Sequence, residues 1–443
     1  MVGAVRSGIY RGLACLLLLF AAAPVRAGND DELFVGNQAA LMGGAVSATV
    51  SDSSATWYNP AGLGSAERDQ VDVSATVYTL RLYHSPVFIQ STDGTATSGA
   101  VTELVVAPAQ VAFVRRLRSG LALGVGYFVP RSTNYTLRES LRVGSAAEQS
   151  DWQVAIAVAE TQHIGAVALG YAAAPGVRFG ASLIGGYSGA SNSFMLFGSA
   201  SRAGETRALS SANLIGTQSR LTLELGLGMQ LDLGDHLRIG VSLRSPQLLL
   251  DLSTDSLVNI ASASMDTLSS RPRHTQTSAG FDIWRAGRAG LALSYRYARG
   301  HISAELDVHP PLRNTTLGID RNTLVNARIG LYHAISPAFA LGFGLFTDRS
   351  SQPVSWQVVS VQGDFYGATA GIEYSNEHAL AASERASSLV FSSVFALRYA
   401  YSPGKLGTFV VHAEQLTQMP FSSQPGELNV HELGLYVGSG LRF

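Results

Sequence analysis

Alternation dominates this chain. Val71, Val73, Ala75 and Val77 share one face of an extended run, with Asp72, Ser74 and Thr76 on the other. "GLALGVGYFVP", residues 120–130, sets Leu121, Leu123, Val125 and Tyr127 against small residues. "RLTLELGLGMQLDL" repeats the scheme, with Leu221, Leu223, Leu225 and Leu227 opposite Thr222, Glu224 and Gly226. It returns in "RIGVSLRSP", "AGLALSYRYARG", "NARIGLYHAI", "FALGFGLF", "FYGATAGIEY" and "VFALRYAY". A period of two, sustained and repeated this often, predicts β-strands with one apolar face and one small or polar face.

Gly or Pro closes short connections at Arg118-Ser119-Gly120, Ala174-Pro175-Gly176, Gly234-Asp235, Ala286-Gly287, Ser336-Pro337 and Ser402-Pro403-Gly404. Longer polar stretches at 84–107, 131–150, 188–217, 245–272 and 300–320 read as loops on the opposite side. Short turns on one side and long loops on the other are the mark of an outer-membrane barrel. Six inner turns with both chain ends beside them predict about fourteen strands. Between 337 and 403 three strand-like runs (338–347, 364–375, 388–401) clash with the even number that parity demands, so one assignment there is in error. The chain closes on "ELGLYVGSGLRF", with Leu433, Leu435, Val437, Ser439, Leu441 and Phe443 on one face. An apolar-out last strand ending on an aromatic resembles the terminal signal of such barrels.

Composition narrows the choice. Arg6 and Arg11, the apolar run 13–23 and Val25-Arg26-Ala27 form a secretory signal peptide over 1–27, its run too short for a spanning helix. The single cysteine, Cys15, lies inside that run, so the expected mature chain has no disulfide, thiolate metal site or Cys nucleophile. Charged residues are only 14%, the net charge is −1, and Lys405 is the one lysine, which gives no reason to expect nucleic acid. No later stretch of eighteen apolar residues predicts a membrane helix. The remaining options are a secreted β-protein and an outer-membrane barrel.

Residues 28–66 do not alternate. They are rich in Ala, Gly and Ser, and Asp52 or Ser53 reads as the N-cap of a short helical turn through Tyr58. Asn59 precedes Pro60 and is pushed out of helical dihedrals, so the helix stops there. A compact non-strand segment ahead of a wide barrel has a natural place inside it, as a plug. The expected organisation is signal peptide 1–27, plug 28–66 and barrel 67–443.

"GGAVSATVSDSSATWYNPAGL" resembles the N-terminal hatch of the FadL/TodX family of outer-membrane hydrocarbon and long-chain fatty-acid transporters, Asn59-Pro60-Ala61 being its characteristic tripeptide. "LGVGYFVP", "LRIGVSLRSP", "LGFGLFTDRS" and "FYGATAGIEYS" resemble strands of the family. The resemblance implies an all-β, fourteen-stranded, antiparallel transmembrane barrel, monomeric, with a hatch in its lumen. It implies passive uptake of a hydrophobic molecule from outside and release through a gap in the wall into outer-membrane lipid. It also implies that the tripeptide lies near that gap, on a kinked third strand. Counted along this chain, that strand is 120–130, with Gly124 and Gly126 as the expected kink. The stretch 377–388 is longer than a tight turn of such a barrel.

Apolar patches in the expected loops are "SPVFIQ", "SFMLFG" and "PQLLLDL". Phe194, Met195, Leu196 and Phe197 are expected to help capture a ligand, the bland alternative being ordinary loop packing. Catalytic chemistry is not legible: there is no His-Glu-x-x-His, no Walker loop, and "GYSGA" lacks the glycine spacing of a nucleophile elbow. No catalytic residue, metal or cofactor is expected. The competing readings are a barrel with a lipid-hydrolase or structural role, and an open porin.

Overall fold

A computed structural model of the chain describes residues 33–145, 148–264, 268–351, 362–379, 388–411 and 421–443. The signal peptide and Cys15 fall outside them.

Fourteen strands form the wall: β1 (Gln70–Ser91), β2 (Ala96–Arg118), β3 (Leu121–Gly144), β4 (Glu148–Ala174), β5 (Val177–Arg202), β6 (Glu205–Leu233), β7 (Leu237–Arg244, then Gln247–Ser264), β8 (Leu268–Ala279, Asp282–Arg285 and Arg288–Tyr297), β9 (Gly300–His309), β10 (Leu324–Ala334), β11 (Phe339–Asp348), β12 (Phe365–Ala379), β13 (Ser388–Val411) and β14 (Phe421–Arg442). Each pairs antiparallel with the next, and β1 closes on β14 from Gln70↔Arg442 to His84↔Asn429. A closed barrel leaves no spanning backbone group without a partner, as the hydrocarbon of a bilayer requires.

The outer face is apolar where a membrane would be. On β4 the outward residues Val167 and Leu169 lie between His163 and Tyr171, and on β5 Leu183 lies between Tyr187 and Phe179. Tyr127, His163 and Tyr187 stack along the wall as one rim of this band. Eight residues at ~3.4 Å, tilted by ~40°, span roughly 20 Å along the membrane normal, close to the apolar band of known barrels. The aromatic-ended strand is part of this surface, with Leu433, Leu441 and Phe443 exposed.

The strand count of fourteen holds, but two inner turns are misplaced. Ala286-Gly287 is a break inside β8, the turn falling instead at Ala298-Arg299. Ser402-Pro403-Gly404 lies within β13, where Pro403 pairs with Asn429. This resolves the parity conflict: all three runs between 337 and 403 are strands, and the chain between β12 and β13 passes through 380–387, outside the described residues. The long loops are also corrected. Residues 84–107, 131–150, 188–217 and 245–272 are mostly strand, and the β1–β2 and β5–β6 connections are tight turns. The strands simply continue above the membrane band. There the outer face meets water rather than lipid, so it carries polar residues and the alternation fades. Only β9, β10 and β11, at 10, 11 and 10 residues, stop near the spanning length.

Candidate functional site

Residues 33–66 lie in the lower lumen and are almost wholly buried. A helical turn (α1, Asn37–Leu41) is followed by a second (α2, Ala55–Tyr58) and a 3-10 turn, Pro60–Ser65. The chain does turn at Asn59, which is extended at φ −153° and caps the 3-10 turn by accepting from the Ala61 amide at 3.2 Å. The two hydrogens of Asn59 Nδ2 are shared among three carbonyls, of Ser47 at 2.8 Å, Met229 at 3.1 Å and Val241 at 3.3 Å. The last two belong to paired residues of β6 and β7.

Other bonds fix the segment all round. Ser47 gives its amide and hydroxyl to Glu305 of β9, at 2.9 and 2.7 Å, and Arg328 of β10 braces Glu305 and Asp307. Gln230 of β6 donates to the Ser47 and Val50 carbonyls, Gln110 of β2 to Ser53, and Thr369 of β12 to the Leu41 carbonyl. Trp57 packs under the Arg244 guanidinium at 4.0 Å and beside Phe128. The backbone approaches the wall where the wall has no side chain. A Cβ on Gly180 would stand 2.2 Å from the Pro60 carbonyl carbon, and one on Gly240 would stand 2.5 Å from the Ser47 oxygen.

The upper lumen is different in kind. Phe88, Leu137, Leu141, Trp152, Ile156 and Leu428 belong to one buried apolar cluster. Phe409 forms its centre, edge-on to Phe88 at 5.3 Å and stacked on Phe194 at 5.2 Å. The top of β1 helps roof it. Above His84 the strand leaves β14 and pairs parallel with β13 instead, Ile89↔Phe409 to Ser91↔Val411. The "SFMLFG" residues sit in β5 rather than in a loop, so their side chains alternate. Phe194 and Leu196 are buried inside, while Met195 and Phe197 point outward at 45% and 36% exposure. A cavity of about 20 Å³ in the cluster is lined by Tyr83, Val101, Tyr135, Leu137, Ile156 and Leu406 among others. Ligand pockets begin near 300 Å³, so a ligand enters here only when these side chains move.

Beside this cluster the wall has a seam. β2 and β3 pair only from Arg118↔Leu121 up to Gln110↔Phe128. Above that point β2 pairs with β1 alone and β3 with β4 alone. The β3–β4 register also breaks between Phe128 and Arg131, at Val129-Pro130. Gly124 and Gly126, where the sequence led us to expect the kink, are regular ladder positions below it. Gly124 makes room for the segment: a Cβ there would meet Thr56 Oγ1 at 2.4 Å and Leu63 at 2.9 Å. The tripeptide lies elsewhere, against Gly170, Gly180 and Gly228 of β4, β5 and β6. The residue at the seam is Leu33. It packs on Val105 of β2 and Val129 of β3, and its amide donates to the Pro130 carbonyl at 3.0 Å.

Among the described residues no three metal-ligating side chains cluster. No family model matches the sequence, and no curated protein does. Solved structures match it in fold. A Pseudomonas aeruginosa FadL homologue aligns with TM-score 0.61 at 10% identity, over 94% of this chain and 99% of that one. The P. putida toluene transporter TodX gives 0.58 at 14%, over 94% and 99%, and the CymD monoaromatic hydrocarbon channel 0.56 at 12%, over 93% and 98%. The likeness to these barrels thus extends over the fold of nearly the whole chain.

Proposed function

We propose that this chain is a passive outer-membrane channel for hydrophobic molecules. They are captured in the upper apolar lumen and released sideways through the β2–β3 seam. The observation that carries the reading is adjacency: an apolar interior directly abuts the stretch of wall that lacks a ladder. A hydrophobic solute gains nothing from a water-filled pore, since each CH₂ left in water costs about 0.8 kcal/mol. It needs an apolar reception site and a dry exit into lipid. Residues 33–66 act as the hatch, closing the lower lumen to water with a set of directional bonds. The structural neighbours named for toluene and monoaromatic hydrocarbons support a small apolar substrate, and a long-chain fatty acid fits the same chemistry. The working unit is a monomer.

The test is uptake of labelled toluene and labelled oleate by a bacterial host that lacks its own transporters. Cells carrying the wild-type barrel should take up at least one probe faster than cells without it. An Asn59→Ala/Pro60→Ala variant, shown to be inserted, should change that rate. No uptake of either probe by an inserted wild-type barrel overturns the reading, and a steady conductance in planar bilayers would instead mark an open porin. Uptake identical in wild type and variant would remove the hatch role of the tripeptide.

A further inference from the structure

The edges of the β2–β3 seam have no ladder, yet side chains and the Leu33 amide bond them in order. On β3, three alternate residues present groups to the seam. The Pro130 carbonyl accepts from the Leu33 amide at 3.0 Å. The Ser132 carbonyl accepts from Arg81 Nη1 at 3.1 Å, with Thr133 Oγ1 at 3.4 Å from the same nitrogen. The Asn134 amide donates to Glu103 Oε1. From the other side, the Ala100 amide of β2 donates to Glu139 of β3 at 3.4 Å.

Arg81 and Glu103 are paired residues of β1 and β2, and both are buried. Arg81 Nη1 stands 3.5 Å from Glu103 Oε2, and its Nε donates to Glu432 of β14 at 2.6 Å. The Tyr83 hydroxyl donates to Glu103 at 2.8 Å, and its ring packs on Tyr135 of β3 at 5.2 Å. One charged unit therefore reaches from β14 through β1 and β2 to the bare edge of β3.

We propose that Arg81 and Glu103 are the latch of the seam. Their side chains stand in for the missing ladder, and release of the Asn134 amide from Glu103 is the step that opens the wall to an apolar molecule leaving the lumen. The inference rests on the sideways route proposed above. Its physical basis is the difference between the two ways of satisfying a strand edge. Backbone groups left unpaired beside the buried apolar lumen are costly, so the seam must be bonded when closed. A continuous ladder would hold it shut as a cooperative unit. A few side-chain bonds close it equally well and come apart by rotation about side-chain torsions. Glu103 is the part that can be removed safely, because Arg81 keeps its partner Glu432 when Glu103 is gone.

Hydrogen–deuterium exchange on the full barrel in lipid nanodiscs tests this, with Glu103→Ala and Glu103→Gln beside wild type. The amides of 131–135 should exchange about tenfold faster or more in Glu103→Ala, and by an intermediate factor in Glu103→Gln, which keeps an acceptor but loses the charge. Amides of the β4–β5 ladder at 164–170 should not change. Uptake of the faster of the two probes should rise in the same order. Unchanged exchange at 131–135 overturns the latch. Faster exchange with unchanged uptake overturns its gating role. If Glu103→Ala does not insert, Glu103→Gln decides by the same readouts. Exchange is read without any transport, so a barrel that takes up neither probe would sink the proposed function while leaving the closure of the seam still measured.

Discussion

Gly228 and Asn59 form a double-mutant cycle on the seat of the N-terminal segment. A Cβ on Gly228 would stand 2.0 Å from Asn59 Oδ1, 2.9 Å from Pro60 Cδ and 3.0 Å from the Ala61 nitrogen. Gly228→Ala therefore pushes Asn59 off its seat, and the Nδ2 bonds to Ser47, Met229 and Val241 are lost. At about 1 kcal/mol for each of the two Nδ2 hydrogens and for the Ala61 cap on Oδ1, the seat weakens by about 3 kcal/mol. That is roughly a hundredfold in the local opening equilibrium. Asn59→Ala loses the same Nδ2 donations and the same cap, and should cost about as much. In the double variant the 2.0 Å contact no longer exists, and the two remaining contacts near 3 Å are relieved by small shifts. The double should therefore resemble either single variant, with a coupling of about 3 kcal/mol in magnitude. The assay is exchange of the Gly62 amide, whose acceptor is the Asn59 carbonyl and survives both substitutions. Additive effects in the double variant would refute the seat geometry, and unchanged exchange in Gly228→Ala would refute a segment held against β6 at all.

Gly180→Val, whose Cβ would meet backbone atoms of Pro60 and Ala61, should displace the segment while the barrel still inserts, and single-channel recordings should show a conductance that wild type lacks. Phe194→Ser with Leu196→Ser should remove uptake and destabilise the upper lumen by about 3 kcal/mol or more, whereas Met195→Ser with Phe197→Ser should leave uptake near wild type. Equal effects of the two pairs would remove "SFMLFG" from the capture site. Leu33→Ser keeps the amide bond to Pro130 but loses the contact with Val105 and Val129, and uptake of an apolar probe should rise. Uptake that falls or stays the same would exclude Leu33 as the stopper of the seam.

Most of the architecture was legible because alternation is a wall-scale signal. Each run such as "RLTLELGLGMQLDL" carries its own face assignment, and ten of them leave little freedom of class. Where the reading failed, the outer face had stopped facing lipid. Ser193 to Gly198 lie in β5 above the membrane band, so polar neighbours masked a continuous strand and the stretch read as a loop. Ser402-Pro403-Gly404 has turn chemistry, yet ladder neighbours on β14 carry it straight through. The helix stop at Asn59 was legible because it is local, set by the following proline. The partners of Asn59 were not, since Met229 and Val241 lie far along the chain and are contacted through their backbone carbonyls, which no sequence pattern marks. A signal for the rest did exist. Gly170, Gly180, Gly228 and Gly240 all fall on the inward face of their strands, and Glu305 and Asp307 are charges on that face. Together they mark a lumen shaped around something polar.

The two halves of that lumen also differ in what can move. The lower segment is held by directional bonds, at Asn59, Ser47, Gln230, Gln110 and Thr369, and several must break together for it to shift as a body. Leu33 is held by much less. Leu33 has one backbone bond to Pro130 and one buried apolar contact, together worth about 3–4 kcal/mol. The link behind it bends at Gly36, with φ of 95°, a conformation that glycine adopts without strain. Withdrawing Leu33 about that point uncovers the seam while the Asn59 seat stays closed to water. On the proposed route the tripeptide would thus be the anchor, and Leu33 the contact that has to give way at the seam. Such a division would let the proposed channel pass an apolar molecule sideways without opening a hole through the membrane.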